Sequence, residues 1–105
     1  MRFAKAHGLG NDFVMVAREH CPAEAAAWAR RLCDRHLGIG GDGVLVFAVE
    51  GDRVRMRLLN ADGSDGDVSG NGVRCLAAYA AENGWVKSSH LVETPVGPRA
   101  VTVES

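Results

Sequence analysis

Apolar and polar side chains alternate from Met1 to Ala6, the pattern breaks at His7-Gly8-Leu9-Gly10-Asn11-Asp12, and a second apolar run spans Phe13 to Ala17. This predicts two short strands joined by a glycine-bearing turn. From Pro22 to His36 the period lengthens: Ala25, Trp28, Ala29, Leu32 and Cys33 share one helical face, with Pro22 suited to the first helical position and Glu24 to the first turn. An amphipathic helix of this kind needs a surface to lie on, most simply a sheet. Val44 to Val49 is a continuous apolar run, Glu50-Gly51-Asp52 is a turn, and Arg53 to Leu59 sets Val54, Met56 and Leu58 against Arg53, Arg55 and Arg57. The pair predicts a hairpin with one wet face. A second helix is expected over Gly70 to Glu82, where Val73, Leu76, Ala77 and Ala80 fall on one face and only Arg74 and Glu82 carry charge. Its near-uniform apolarity predicts burial, and Asn83-Gly84 supplies a left-handed stop. Leu91 to Thr94 and Arg99 to Val103 read as two short strands around Pro95-Val96-Gly97-Pro98. This order specifies an α+β fold, a curved mixed or antiparallel sheet wrapped around a buried helix.

The chain has 105 residues, enough for one domain and one core. Its hydrophobic fraction of 47%, charged fraction of 24% and net charge of −1 describe an ordinary globular chain without a basic footprint for nucleic acid. The N-terminus lacks an apolar secretory run, and no uncharged stretch approaches the roughly 20 residues that span a bilayer, so the expectation is a cytoplasmic protein that binds neither nucleic acid nor membrane. Cys21, Cys33 and Cys75 are an odd set without a C-x-x-C pair, which argues against a disulfide framework. His20-Cys21 and Cys33-x-x-His36 offer zinc ligands, but neither half has the spacing of a structural zinc site, and no metal is expected.

Several motifs could carry chemistry. Ser69-Gly70-Asn71-Gly72 stands where the first turn of the second helix leaves amide N–H groups unpartnered, a receptor for a carboxylate or phosphate. The same residues equally serve as a cap and a tight turn, and on this stretch alone both readings stay open. Asn11 likewise either closes an Asx-type turn or reaches outward. Gly38-Ile39-Gly40-Gly41-Asp42-Gly43 matches G-x-G-x-x-G, but a helix precedes it and a strand follows, the reverse of the dinucleotide-binding order. These glycines are read as a helix stop, with Asp42 available to nearby amides. The arginine row reads as a solvated strand face. Asp62, Asp65 and Asp67 fail as an EF-hand, since counting from Asn60 puts Asp65 at the glycine position and Asn71 at the closing glutamate position.

Four stretches together resemble a known family: H-G-L-G-N-D-F at His7 to Phe13, L-C-D-R-H-L-G-I-G-G-D-G at Leu32 to Gly43, N-A-D-G-S at Asn60 to Ser64, and S-G-N-G-V-R-C at Ser69 to Cys75. The chain is similar to diaminopimelate epimerases, pyridoxal-phosphate-independent racemases of bacterial lysine and peptidoglycan precursor synthesis. The resemblance implies two similar lobes closing on an amino-acid substrate, with residues 1–105 as the N-terminal lobe and the second lobe absent from this chain. It implies cofactor-free interconversion of LL- and meso-diaminopimelate, one cysteine thiolate removing the α-proton and a second thiol delivering one to the opposite face. Substrate contacts are carried onto Asn11, Asn60, Gly70 and Asn71. A glutamine contact found in some members falls at Gly43 and is not carried over.

Two departures change what is expected. The family's first catalytic cysteine position is occupied by Ser69, a far weaker acid that normally needs an adjacent base. Cys75 is no substitute, because six residues of helix separate it from Ser69 by roughly 9 Å. The chain also ends after about half the family's length, so it is expected to be inactive alone and either to require a missing C-terminal lobe or to self-associate. The competing expectations are a related racemase or hydroxyproline dehydratase lobe, and a non-catalytic module for carboxylate binding or assembly.

Overall fold

The computed structural model describes residues 3–7, 11–66 and 70–104. Strands β1 (Ala4–His7) and β2 (Asp12–Ala17) are followed by a 3-10 turn at Arg18–His20 and helix α1 (Ala25–Cys33). Then come β3 (Gly43–Glu50), β4 (Arg53–Asn60), helix α2 (Gly70–Glu82), β5 (Ser89–Thr94) and β6 (Gly97–Thr102). The strands form one sheet in sequence order. β1–β2, β3–β4 and β5–β6 are antiparallel hairpins, while β2–β3 and β4–β5 are parallel.

Each parallel pair requires a crossover, and the two helices supply them. Crossovers are almost always right-handed. The β3–β4 hairpin reverses strand direction while the sheet continues to grow the same way, so two right-handed crossovers must pass over opposite faces. The packing agrees. Phe13, Met15, Leu45, Phe47, Val54, Met56, Leu58 and Val92 pack with Val73, Leu76, Ala77 and Ala80 of α2. Val14, Val16, Val44, Val46 and Leu59 pack with Ala25, Trp28, Ala29 and Cys33 of α1. Covering of both faces explains why β3 reads as an unbroken apolar run rather than an alternation.

Ala4 and Ala6 near one edge of the sheet, and Val101 and Val103 near the other, all adjoin the α2 cluster, so the sheet curls around that helix as expected. Burial of α2 is less complete than its sequence suggests. Gly72, Val73, Leu76, Ala77 and Ala80 are buried, but Ala78 and Tyr79 are half-buried and Arg74 is exposed. Alanine costs little to leave in water, so apolarity all round does not require burial all round. Gly84 stops the helix at φ +72°, with Trp85 N–H donating to the Ala80 carbonyl at 3.1 Å and Gly84 N–H to Ala81 at 3.0 Å.

The first helix is shorter than its periodicity suggests. It begins at Ala25, beyond Pro22, and ends at Cys33, because the Asp34 carboxylate accepts the amides of His36 at 2.8 Å and Leu37 at 2.9 Å and folds Asp34–Leu37 into a turn. The last strand starts earlier than expected and includes Pro98, which an edge strand tolerates. The arginine row is solvated and paired: Arg53 with Glu93, Arg55 with Glu50 at 3.0 Å, and Arg57 with Asp65 at 2.8 Å.

Beyond β4 the chain doubles back on itself through a Leu59–Asp65 bridge. Gly63 sits at the tip with φ +91°, and a Cβ there would lie 2.4 Å from the Ala26 carbonyl oxygen of α1. Gly51, at φ +62°, has nothing within 4 Å of the same position. Gly63→Ala is therefore expected to destabilise the chain by roughly 2–3 kcal/mol, against roughly 1 kcal/mol for Gly51→Ala, in urea unfolding. Equal losses would contradict the close approach of this turn to α1.

Candidate ligand-binding end of the sheet

Strand register carries the sequence-selected residues to one end of the sheet. Ala6 pairs with Phe13, Phe13 with Gly43, and Gly43 with Asn60, a continuous row across four strands, with the His7–Asp12 pair one step beyond it. Asn11 immediately precedes β2 and Asn60 is the last residue of β4. Because β4 and β5 are parallel, the connecting α2 must run back against them and start where β4 stops. Gly70 and Asn71 thus share an end with Asn11 and Asn60. Ser69, the residue carried to the catalytic position, lies outside the described residues, as do Gly8 to Gly10, Asp67 and Val68.

A reciprocal clamp fixes the start of β2. Asp42 Oδ2 accepts the Asp12 amide at 2.7 Å, and the Asp12 carbonyl accepts the Asp42 amide at 2.8 Å. Arg35 bridges the two carboxylates at 3.5 and 3.3 Å, and Lys5 approaches Asp12 at 4.0 Å. The glycine loop delivers this arrangement. Gly40, at φ +86°, donates to the Leu32 carbonyl and Gly41 to that of Cys33, closing α1 before the chain enters β3. The expectation that these glycines stop a helix and present Asp42 to an amide is met. At Gly43 a Cβ would stand 3.0 Å from the Leu59 carbonyl oxygen and 3.1 Å from Leu58 Cδ1, so a larger residue would press on β4.

At the opposite side of this end, the first turn of α2 has no acidic residue. Arg74 donates to Asn71 Oδ1 at 2.7 Å, and its Nη1 lies 3.1 Å from where a Gly70 Cβ would be. Sequence reading counted Arg74 only as a charge, although its i+3 spacing from Asn71 is the signal that the two side chains meet. A guanidinium close to a helix N-terminus opposes the dipole, and that positive character suits an anion. Cys75, one residue on, is half-buried on a groove of about 600 Å³ between α2 and β1, with Ala4, Lys5, Ala6 and Met15 opposite. Burial pushes its thiol above the ordinary value, against a smaller pull from Arg74. Cys33 is buried in the α1 core, and burial, then Asp42, pushes its thiol up. Neither environment makes a thiolate.

Asn60 is held by its own turn. Its backbone N–H donates to the Ser64 carbonyl at 2.8 Å, its carbonyl accepts from the Gly63 amide at 2.9 Å, and its Nδ2 donates to Ser64 Oγ at 3.0 Å. Asp62 Oδ1 accepts both the Ser64 amide at 2.9 Å and the Ser64 hydroxyl at 2.6 Å. Asp62 is thus engaged with Ser64, and Asp65 with Arg57. Asn11, half-buried, makes no side-chain hydrogen bond among the described residues.

Removing the clamp should loosen Asn11. Asp42→Ala deletes the acceptor of the Asp12 amide and is expected to cost about 1–2 kcal/mol and to speed hydrogen exchange at that amide selectively. Unchanged exchange at Asp12 would contradict the role given to Asp42.

The Diaminopimelate epimerase family model matches residues 3–105. Diaminopimelate epimerases of Moorella thermoacetica and Heliobacterium modesticaldum are each 48% identical to the chain, covering 92% of it but 36% and 37% of their own lengths. A PhzF-family phenazine biosynthesis protein of Enterococcus faecalis has the same fold at TM-score 0.63 and 17% identity, over 90% of this chain and 35% of its own. The Bacillus anthracis PhzF-family protein gives 0.59 and 19%, over 95% and 33%. The chain spans a little over a third of the length of the curated relatives it matches, less than the half its motifs suggested. By a match that runs almost from end to end, this chain belongs to the diaminopimelate epimerase family.

Proposed function

We propose that the chain forms one side of a diaminopimelate epimerase-type site, gripping the amino acid at the end of the sheet where Asn11, Asn60 and the start of α2 meet. The observation that carries this reading is their convergence through strand register and the run of α2. Amides at the helix start, with Arg74 nearby, favour the substrate's α-carboxylate and the charge that builds beside it when the α-proton leaves. The asparagine amides serve its remaining polar groups.

The chemistry requires an acid and a base on opposite faces of the α-carbon. Residue 69 stands where the base is expected, and a serine hydroxyl there is a poor one. The opposite-face group comes from a second lobe. Support for a covering partner comes from the flank of the α2 face, where Phe47, Tyr79 and Trp85 form a ring cluster with centroids 5.4–5.9 Å apart and Trp85 is 40% exposed, with exposed Phe3 and Val49 beside it.

Deuterium wash-in at the α-carbon of LL-diaminopimelate tests the reading. The chain alone is expected to show none. With the complementary lobe of a relative added as a separate polypeptide, Ser69→Cys should exchange at least ~10²-fold faster than the serine form, the usual scale of a well-placed acid or base. Equal rates in the two forms would show that residue 69 is not the proton-transfer group.

A further inference from the structure

The hydrogen-bond chain beneath Asn60 determines which end of its carboxamide faces a ligand. Ser64 Oγ lies 2.6 Å from Asp62 Oδ1 and 3.0 Å from the Asn60 side-chain amide. An ionised carboxylate has no proton to give, so the Ser64 hydroxyl must donate its only hydrogen to Asp62. It can then only accept from Asn60. The asparagine nitrogen is therefore the atom turned toward Ser64, and the carbonyl oxygen is turned away, over Gly66, where a Cβ would stand 2.7 Å from it.

We infer that Ser64 and Asp62 are positioning residues that hold the Asn60 carboxamide with its nitrogen on Ser64 and its carbonyl oxygen on the Gly66 side, so that this oxygen accepts a hydrogen bond from an ammonium group of the substrate. The inference deepens the epimerase reading and rests on Asn60 being a substrate contact. It divides the labour at the site: the start of α2 and Arg74 take the carboxylate, Asn60 takes an amino group. Two further features keep the relay in this direction. The Asp62 carboxyl is held below its ordinary range, first by the Ser64 hydroxyl and then by the Ser64 amide, and so stays ionised at neutral pH. Arg30, reaching over from α1 to the Asp62 carbonyl at 3.4 Å, adds positive charge beside it. Without Asp62, the Ser64 hydroxyl is free to donate, and the Asn60 amide can turn over at no loss of hydrogen bonds.

The test uses the full chain. In side-chain amide exchange followed by NMR, the Asn60 δ2 proton facing Ser64 should be protected; Ser64→Ala should speed its exchange roughly tenfold, and Ser64→Thr, which keeps the hydroxyl, should restore it. Ligand-detected NMR then compares diaminopimelate with pimelate, the same dicarboxylic chain without amino groups. The native chain should favour diaminopimelate, Ser64→Ala and Asp62→Ala should shrink that preference several-fold, and Ser64→Thr should retain it. Exchange at Asn60 that ignores Ser64→Ala, or a preference identical in all four chains, overturns the inference. If neither probe binds the native chain, the epimerase reading suffers instead, and the exchange result still decides the orientation of Asn60.

Discussion

Right-handed crossover connections on a sheet that keeps growing in one direction are the constraint on which the rest of the molecule depends. The β3–β4 hairpin reverses the strands between the two crossovers, so α1 and α2 are forced onto opposite faces and the central strands are buried twice over. The same reversal sends α2 back from the end of β4, which places its N-terminus at the end of the sheet where β2 and β3 begin. The end proposed to bind a ligand thus arises from topology before any side chain is chosen. The residues gathered there come from turns, from the end of β4 and from the first turn of α2.

Side chains then make the turns rigid. Asp42 and Asp12 exchange hydrogen bonds across the gap between the glycine loop and β2, while the Asn60 turn is tied internally through Ser64 and Asp62 and is seated on α1 at Gly63. The α1 side of the sheet therefore supports residues that act at its end, and the α2 side contributes the helix terminus. Each fixed hydrogen bond removes freedom that a ligand would otherwise have to quench on binding.

Most of the architecture was legible because burial left a clear period. The doubly buried β3 showed as an unbroken run, the wet face of β4 as alternating arginines, and the α2 core face at i, i+3, i+4 and i+7. Element ends were less legible. Pro22 and Glu24 resemble a helix start, yet Glu24 makes no side-chain cap, and α1 ends where the Asp34 carboxylate competes for backbone amides. The completeness of α2 burial was misread because a run of alanines has no strong preference for either side. At the candidate site, the motifs singled out Asn11, Asn60, Gly70 and Asn71, whereas Arg74 and Ser64 show themselves only in contacts with neighbours three or four residues away. Their roles depend on side-chain directions that periodicity does not encode.

The most direct test of the central claim, that these turns and the start of α2 form one binding surface, is a backbone and side-chain NMR map of the whole chain during titration with LL-diaminopimelate. Shifts should concentrate at Asn11, Asn60, Gly70, Asn71 and Arg74, with β5 and the distal half of β6 unmoved. Shifts confined to the aromatic cluster of Phe47, Tyr79 and Trp85, or spread evenly over the chain, would contradict it.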